Sequence, residues 1–234
     1  MTFMRIGEKP EIARLPLFRD MDDAMRERVL SGSFLQVFPP QLTLFEIGQR
    51  ADFLHVLVDG LVELYAAGDV RDTTMRIVEP VTSYILAAVI NDMPYLMSAR
   101  TLASSRILLV PAALMREVIK RDTALMQATM HELALGYRDM VRALTDMKLR
   151  QSAERLGHYL LEHSARHGDK QEFELSGEKR VLASLLGMTP ENLSRAFGTL
   201  KAHGVAARGA KIRIEDRAAL SAFSRPDPVP PDQR

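Results

Sequence analysis

Near the end of the chain, Glu191, Ser194 and Arg195 bring a carboxylate, a hydroxyl and a guanidinium onto one stretch of predicted helix. Leu193, Phe197 and Leu200 recur at helical spacing and turn inward, so Glu191, Ser194, Arg195 and Thr199 turn outward. An arginine forks onto guanine O6 and N7, a glutamate accepts from cytosine N4, and a serine reaches either kind of group. The bland alternative is a solvated i,i+4 pair between Glu191 and Arg195. On these residues alone that pair is the better reading, and their surroundings reverse it.

The elements that must position them are short and well punctuated. Glu178 to Leu186 reads as a helix with Val181, Leu182, Leu185 and Leu186 inward, and Gly187-Met188-Thr189 as a tight turn. Thr189 is an N-cap, and Pro190 takes the first helical position, where its missing N–H costs nothing. The next helix runs from Pro190 to about Ala202. Helix, three-residue turn with glycine, helix is the helix-turn-helix spacing. Beyond it, His203 to Ile214 reads as a short hairpin, a wing that places basic side chains near phosphates. The candidate DNA-contacting set is Thr189, Pro190, Glu191, Ser194, Arg195, Thr199, Lys201, Arg208 and Lys211. Charge agrees: residues 147 to 225 hold 14 Lys+Arg against 9 Asp+Glu, whereas residues 1 to 146 hold 16 against 19. An acidic module precedes a basic one, and the overall net charge of +1 hides both.

Upstream, seven short stretches rich in β-branched and aromatic residues are separated by glycine and proline: Phe34 to Phe38, Leu42 to Glu46, Phe53 to Val58, Leu61 to Ala66, Thr73 to Val78, Met97 to Ala103 and Arg106 to Val110. Such spacing predicts an antiparallel sandwich or roll. Asp59-Gly60 is the strongest hairpin signal in the chain. Asp20 or Asp22 caps a helix to about Ser31, and Ala112 to Lys120 follows Pro111 as another. From Asp122 to about His167 the pattern becomes helical. Met126, Met130, Leu133, Tyr137, Met140, Leu144 and Met147 alternate spacings of four and three, the a/d seam of a coiled coil. A seam this narrow predicts a homodimer interface; a stripe docked on its own sheet is the alternative.

With 234 residues and 47% hydrophobic content, the chain can fill a substantial core. No run is long and apolar enough for a membrane span, and the start lacks a signal-peptide pattern, so a cytoplasmic protein without membrane partners is expected. The absence of cysteine excludes disulfides, a cysteine nucleophile, thiolate zinc sites and cysteine-held iron–sulfur clusters. No glycine-rich phosphate loop, nucleophile–base pair or metal triad marks an enzyme. The expected divisions are 1–121 for the sensor, 122–147 for the dimerisation helix, 148–225 for the DNA-binding domain, and 226–234, with four prolines in nine residues, for a disordered tail.

Two strings carry a resemblance. Phe45-Glu-Ile-Gly48-Gln-Arg-Ala51-Asp52-Phe-Leu-His-Val-Leu-Val58-Asp59-Gly60-Leu-Val62 is similar to the cyclic-nucleotide-binding-like β-roll motif of the CRP/FNR family of bacterial transcription regulators. Glu191-x-x-Ser194-Arg195 matches the E-x-x-S-R recognition-helix signature of its FNR branch; CRP-type members have glycine in place of Ser194. The resemblance covers nearly the whole chain. It implies an α+β protein: a β-roll (a cyclic-nucleotide-binding-like jelly roll), a long dimerisation helix and a winged helix-turn-helix. The homodimer would read a TTGAT-like inverted repeat in double-stranded DNA, with Glu191 and Arg195 on a G·C pair and Ser194 near a thymine. An activator role with RNA polymerase as partner is also implied.

Two departures are informative. Cyclic-AMP-binding relatives grip the phosphate with Gly-Glu and a later Arg-Ser; here the stretches are Thr82 to Ala88 and Tyr95-Leu96-Met97-Ser98-Ala99. The glutamate is missing and Met97 stands in the arginine's place. An apolar side chain does not offset dehydration of a buried phosphate, so cyclic AMP is not the expected ligand despite Ser98. The cysteine-bound cluster of the oxygen sensor is excluded. The Tyr-Leu-Met-Ser-Ala-Arg cassette resembles that of nitric-oxide-responsive regulators of denitrification genes, some thought to sense the gas through haem. The resemblance thus implies a nitric-oxide or redox effector acting through haem or another apolar ligand, in a pocket of His55, Ile85, Leu86, Tyr95, Leu96, Met97, Met130 and His131. A solid core with no ligand accounts for the same apolar cassette equally well. His55 and His131 are the first candidate haem ligands. His158, His163 and His167, spaced by five and four, make a poor zinc site, so no metal is assigned. His203, at a helix end, suits the C-terminal dipole.

Overall fold

The computed structural model describes residues 4–68, 71–175 and 177–225, and the chain divides into two compact units that meet in sequence between Asp139 and Met140. The expected tail from residue 226 lies outside the described residues.

The first unit opens with α1 (Lys9–Ala13), which the pattern did not predict, and α2 (Asp23–Ser31). Asp22 is the cap: its Oδ1 accepts from the backbone N–H of Ala24 at 2.9 Å and of Met25 at 3.2 Å. The roll that follows contains β1 (Phe34–Phe38), β2 (Thr43–Phe45), β3 (Phe53–Asp59), β4 (Val62–Ala66), β5 (Thr73–Val78), β6 (Thr82–Tyr84), α3 (Leu86–Asn91), β7 (Ser98–Thr101) and β8 (Ser105–Pro111). These strands form two four-stranded sheets, β1-β8-β3-β6 and β2-β7-β4-β5, with every pairing antiparallel. Strand β6 and helix α3 were not anticipated: a three-residue strand leaves no period to read.

The Asp59-Gly60 expectation fails. β3 and β4 lie in different sheets, so the turn between them is a corner and not a hairpin. What requires glycine is close approach: at φ +100° a Cβ on Gly60 would sit 2.4 Å from Ser105 Oγ and 2.6 Å from the Ser104 carbonyl. The neighbouring chain holds this corner, with Leu61 N–H donating to Ser105 Oγ at 3.1 Å and Leu102 N–H to the Leu61 carbonyl at 2.8 Å. A positive-φ dipeptide signals a reversal; which strands flank it as partners is decided by long-range pairing.

Helix α4 (Ala112–Ile119) packs behind the roll with Met115 and Val118 buried. Helix α5 (Thr123–Leu149) begins at Asp122, a buried carboxylate in double use. Its Oδ1 accepts from Leu125 N–H at 2.8 Å and its Oδ2 from Asp22 N–H at 2.9 Å. Leu125 and Thr129 are the buried residues of α5. The face that docks on the roll is therefore not the methionine seam. The helical pattern does not continue unbroken to His167: α5 ends at Leu149 and α6 (Ser152–Arg166) starts afresh, with Gln151 N–H donating to Glu154 Oε2 at 2.8 Å.

The second unit gathers α6, β9 (Glu172–Glu174), α7 (Lys179–Leu185), α8 (Pro190–Leu200), β10 (Val205–Arg208), β11 (Lys211–Ile214) and α9 (Arg217–Phe223) around Leu156, Leu160, Leu193, Leu200, Ile212 and Leu220. The wing hairpin β10–β11 carries β9 on its far side, order β10-β11-β9. β9 and α9 were not predicted. Among the described residues no helix is long and apolar enough to cross a membrane.

Candidate nucleic-acid interface

The turn between α7 and α8 is built by backbone bonds: Gly187 N–H donates to the Ser184 carbonyl and Met188 N–H to the Ala183 carbonyl, both at 2.9 Å. Gly187 adopts φ +63°, and a Cβ there would meet the Met147 thioether, 2.7 Å from its sulfur. Met147 thus lies against the turn that aims α8. Arg155 on α6 fixes the same turn by donating from Nε to the Leu186 carbonyl at 3.0 Å, while its Nη1 reaches the Arg150 carbonyl at 2.6 Å. Sequence reading missed Arg155, because a lone arginine on an amphipathic helix carries no signal of the carbonyl it meets.

Thr189 caps α8, its Oγ1 accepting from Asn192 N–H at 3.3 Å, and Pro190 occupies the first turn. Leu193, Ala196 and Leu200 are buried, and Glu191, Ser194, Arg195 and Thr199 are exposed. The outward row is thus the one predicted. Arg195 reaches back along the helix and donates from Nη2 to Asn192 Oδ1 at 2.6 Å, and Thr199 Oγ1 donates to the Arg195 carbonyl at 3.3 Å. The helix ends in a single 3-10 turn over Lys201–His203, where His203 stacks on Phe223 with ring centroids 3.9 Å apart. Lys201 is exposed, as are Arg208 and Lys211, which close the wing around Gly209 at φ +64°. Arg213, also on the wing, donates to Glu172 Oε2 at 2.9 and 2.7 Å. That bond raises the Arg213 pKa and lowers that of Glu172, and it neutralises one wing cation. An outward row with hydrogen-bonding ends beside flanking cations suits a groove floor and its phosphates.

The expected effector pocket is brought together only in part. His55, Leu86 and Tyr95 are buried in the roll, with Ile85 and Met97 packed against that core. Leu96, by contrast, is 82% exposed and Met130 63% exposed, and His131 faces solvent. They do not line an enclosed site with His55. Leu96 lies in a bend ahead of β7, outside any strand, where Tyr95 points into the core and Leu96 does not. Around His55 the rings of Phe45, Tyr84 and Tyr95 stand at 5.0, 5.4 and 6.4 Å, and Phe45 stacks on Tyr95 at 3.9 Å. Burial holds the imidazole down to about pKa 4, against a raising hydrogen bond to the Phe53 backbone, and leaves Nδ1 without a partner. The same burial raises Tyr84 and pushes Tyr95 up to about 12. A porphyrin is far wider than these gaps, and the exposed His131 offers no cradle, so the residues present do not fit haem.

Nor does the cassette offer a phosphate grip. Ser98 Oγ accepts from Ile47 N–H at 3.0 Å. Arg100, two residues beyond Ser98, donates to Glu63 at 2.6 Å and to Asp72 at 2.9 Å and lies 4.3 Å over the Tyr65 ring. Burial opposes its charge, and these carboxylates outweigh that and raise its pKa. Glu63, 1% exposed, also accepts from Thr74 Oγ1 at 2.6 Å.

All seven seam residues are exposed, from 36% at Leu133 to 70% at Tyr137. The alternative of a stripe spent on its own sheet is thereby removed. On α6, His158 Nε2 lies 3.6 Å from both Asp146 and Glu162, carboxylates the sequence reading had not placed beside it. The rings of His163 and His167 lie tilted to one another with centroids 4.3 Å apart. Among the described residues no cluster of three ligating side chains is set for a metal ion.

Comparison with known proteins matches both units. Residues 35–122 match the cyclic nucleotide-binding domain family, and residues 154–223 match the Crp-like helix-turn-helix domain family. The chain is 24% identical over 196 residues to the fumarate and nitrate reduction regulatory protein of Salmonella typhi, covering 78% of this chain and 75% of that one. It is similar to the solved structure of a candidate cyclic nucleotide binding protein from Ruegeria pomeroyi, at 27% identity and TM-score 0.60, over 96% of this chain and 100% of that one. It shares the fold of FixK2 from Bradyrhizobium japonicum, at TM-score 0.74 and 17% identity, over 85% and 99% of the two chains.

Proposed function

The chain belongs to the CRP/FNR family of transcription regulators, not to an enzyme family, and from that premise we propose that it acts as a homodimer reading a TTGAT-like inverted repeat. The observation that carries this reading is the exposed row Glu191, Ser194 and Arg195 on the capped helix α8, flanked by Lys201, Arg208 and Lys211. Arg195 would fork onto the guanine, Glu191 would accept from the paired cytosine, and Ser194 would lie near a thymine. Met126, Met130, Leu133, Tyr137, Met140, Leu144 and Met147 would pack against the same residues of a second copy. That pairing would set the two α8 helices about 34 Å apart, matching successive major grooves.

Two features support an effector other than a cyclic nucleotide: Met97 in place of an arginine, and the internal commitments of Ser98 and Arg100. Nitric oxide or a redox signal acts on the roll, and the seam passes the change to α8 through Met147 at the α7–α8 turn. The close packing around His55 argues against a haem as the receiver. Bound to promoter DNA, the dimer presents its surface to RNA polymerase. The test of the base-reading role is Arg195→Ala measured against a duplex with two inverted TTGAT half-sites. The expected loss is about 1–3 kcal/mol with relaxed preference at one base pair. A uniform loss on all sequences would make Arg195 a phosphate contact instead. Titration of DNA binding with a nitric-oxide donor tests the effector.

A further inference from the structure

We propose that Asn192 is a positioning residue for base reading: it selects which edge of the Arg195 guanidinium meets the DNA. The inference rests on α8 being the recognition helix. Asn192 Oδ1 accepts from Arg195 Nη2 at 2.6 Å, an i,i+3 contact along the outward face. Helical side chains lean toward the N-terminus, so this bond holds the guanidinium over the first turn, the end that reaches base edges in helix-turn-helix proteins.

The geometry of arginine gives the contact its meaning. A guanidinium has two forks that match guanine O6 and N7, one formed by Nη1 and Nη2 and one by Nε and Nη2. Nη2 has two hydrogens, one for each fork. With one of them committed to Asn192, a single fork is left that can donate both bonds to guanine. Asn192 is itself well held, half-buried, with its backbone N–H donating to the capping Thr189 at 3.3 Å. An amide oxygen does this without adding a negative charge beside phosphates. In water such a contact contributes little, because arginine exchanges it for solvent. In a groove from which water is excluded, the remaining Nη2 hydrogen needs an acceptor, and Asn192 supplies it. The residue therefore acts on discrimination between bases more than on affinity.

The full-length protein is titrated by fluorescence anisotropy against three duplexes: two inverted TTGAT half-sites, the same duplex with both G·C pairs changed to A·T, and a scrambled sequence. Asn192→Ala should lower the preference for the first over the second by about three- to tenfold, out of the discrimination a bidentate pair provides. Binding to the scrambled duplex, its salt dependence and the melting temperature should not move. Asn192→Asp keeps the acceptor; it should retain the preference while weakening all three complexes. Adding Asn192→Ala to Arg195→Ala should lower the preference no further. An unchanged or higher preference in Asn192→Ala, an equal loss on all three duplexes, or a preference lost in Asn192→Asp overturns the proposal. A preference that survives Arg195→Ala overturns instead the reading of α8 on which the proposal stands.

Discussion

Lowering the pH from 7 to 5 should destabilise the β-roll through His55 alone by about 2 kcal/mol. The imidazole is 5% exposed, its Nδ1 has no hydrogen-bond partner, and burial holds its pKa at about 4 where an ordinary histidine titrates at 6.5. Because the folded value lies below the unfolded one, the unfolded chain binds the proton first as the pH falls through 6.5. Stability is intact above that value and is lost down to pH 4, where the folded roll also takes up the proton. At 1.36 kcal/mol per unit, the gap of two and a half units corresponds to a total of about 3 kcal/mol, of which about two thirds has gone by pH 5. Ordinary carboxylates titrate below pH 5 and so contribute little across this window. The assay is urea unfolding followed by the near-ultraviolet circular dichroism of tyrosine, since Tyr84 and Tyr95 flank the imidazole. His55→Phe removes the titrating group and keeps a ring among Phe45, Tyr84 and Tyr95. The variant should match or exceed the parent at pH 7 and lose about 2 kcal/mol less at pH 5. The other five histidines are the same in both proteins, so whatever they contribute cancels in the difference. Identical losses in parent and variant would refute the assignment of a neutral, strained-to-charge imidazole to the core of the roll.

Charging the seam should separate the subunits. Met140→Asp with Leu144→Asp places two carboxylates on residues 69% and 55% exposed on α5, and a monomer is expected in analytical ultracentrifugation, with at least about 100-fold weaker binding to the inverted repeat. A variant that remains dimeric would place the interface elsewhere. Arg100→Met should cost the roll about 3–5 kcal/mol in urea unfolding, because it leaves the Glu63 carboxylate buried without its cation. Adding Glu63→Gln should recover more than half of that loss, and a single-variant loss below about 1 kcal/mol would show that the pair is not the buried network described.

The DNA-binding half was legible because its signals are local. Thr189, Pro190 and Gly187 act through caps and backbone angles within a few residues, and Leu193 and Leu200 mark the buried face by period alone. The wing hairpin and most strands of the roll were readable for the same reason, and so was the seam of α5. Its exposure was not, since only the packed roll shows that Leu125 and Thr129, and not the methionines, face it. Long-range contact settled the rest. Asp59-Gly60 proved a corner because β3 pairs with β8 and β6, and Leu96 and Met130 left the expected pocket because a bend ahead of β7 leaves one exposed and helix phase turns the other outward. Arg155 and Asn192 became meaningful only beside the Leu186 carbonyl and the Arg195 guanidinium. Sequence by itself determined which segments bend, cap and alternate, since those choices are made by each residue and its near neighbours. The tertiary structure decided partners, burial and hence charge state, because a strand's neighbour and an imidazole's solvent are supplied by residues far along the chain.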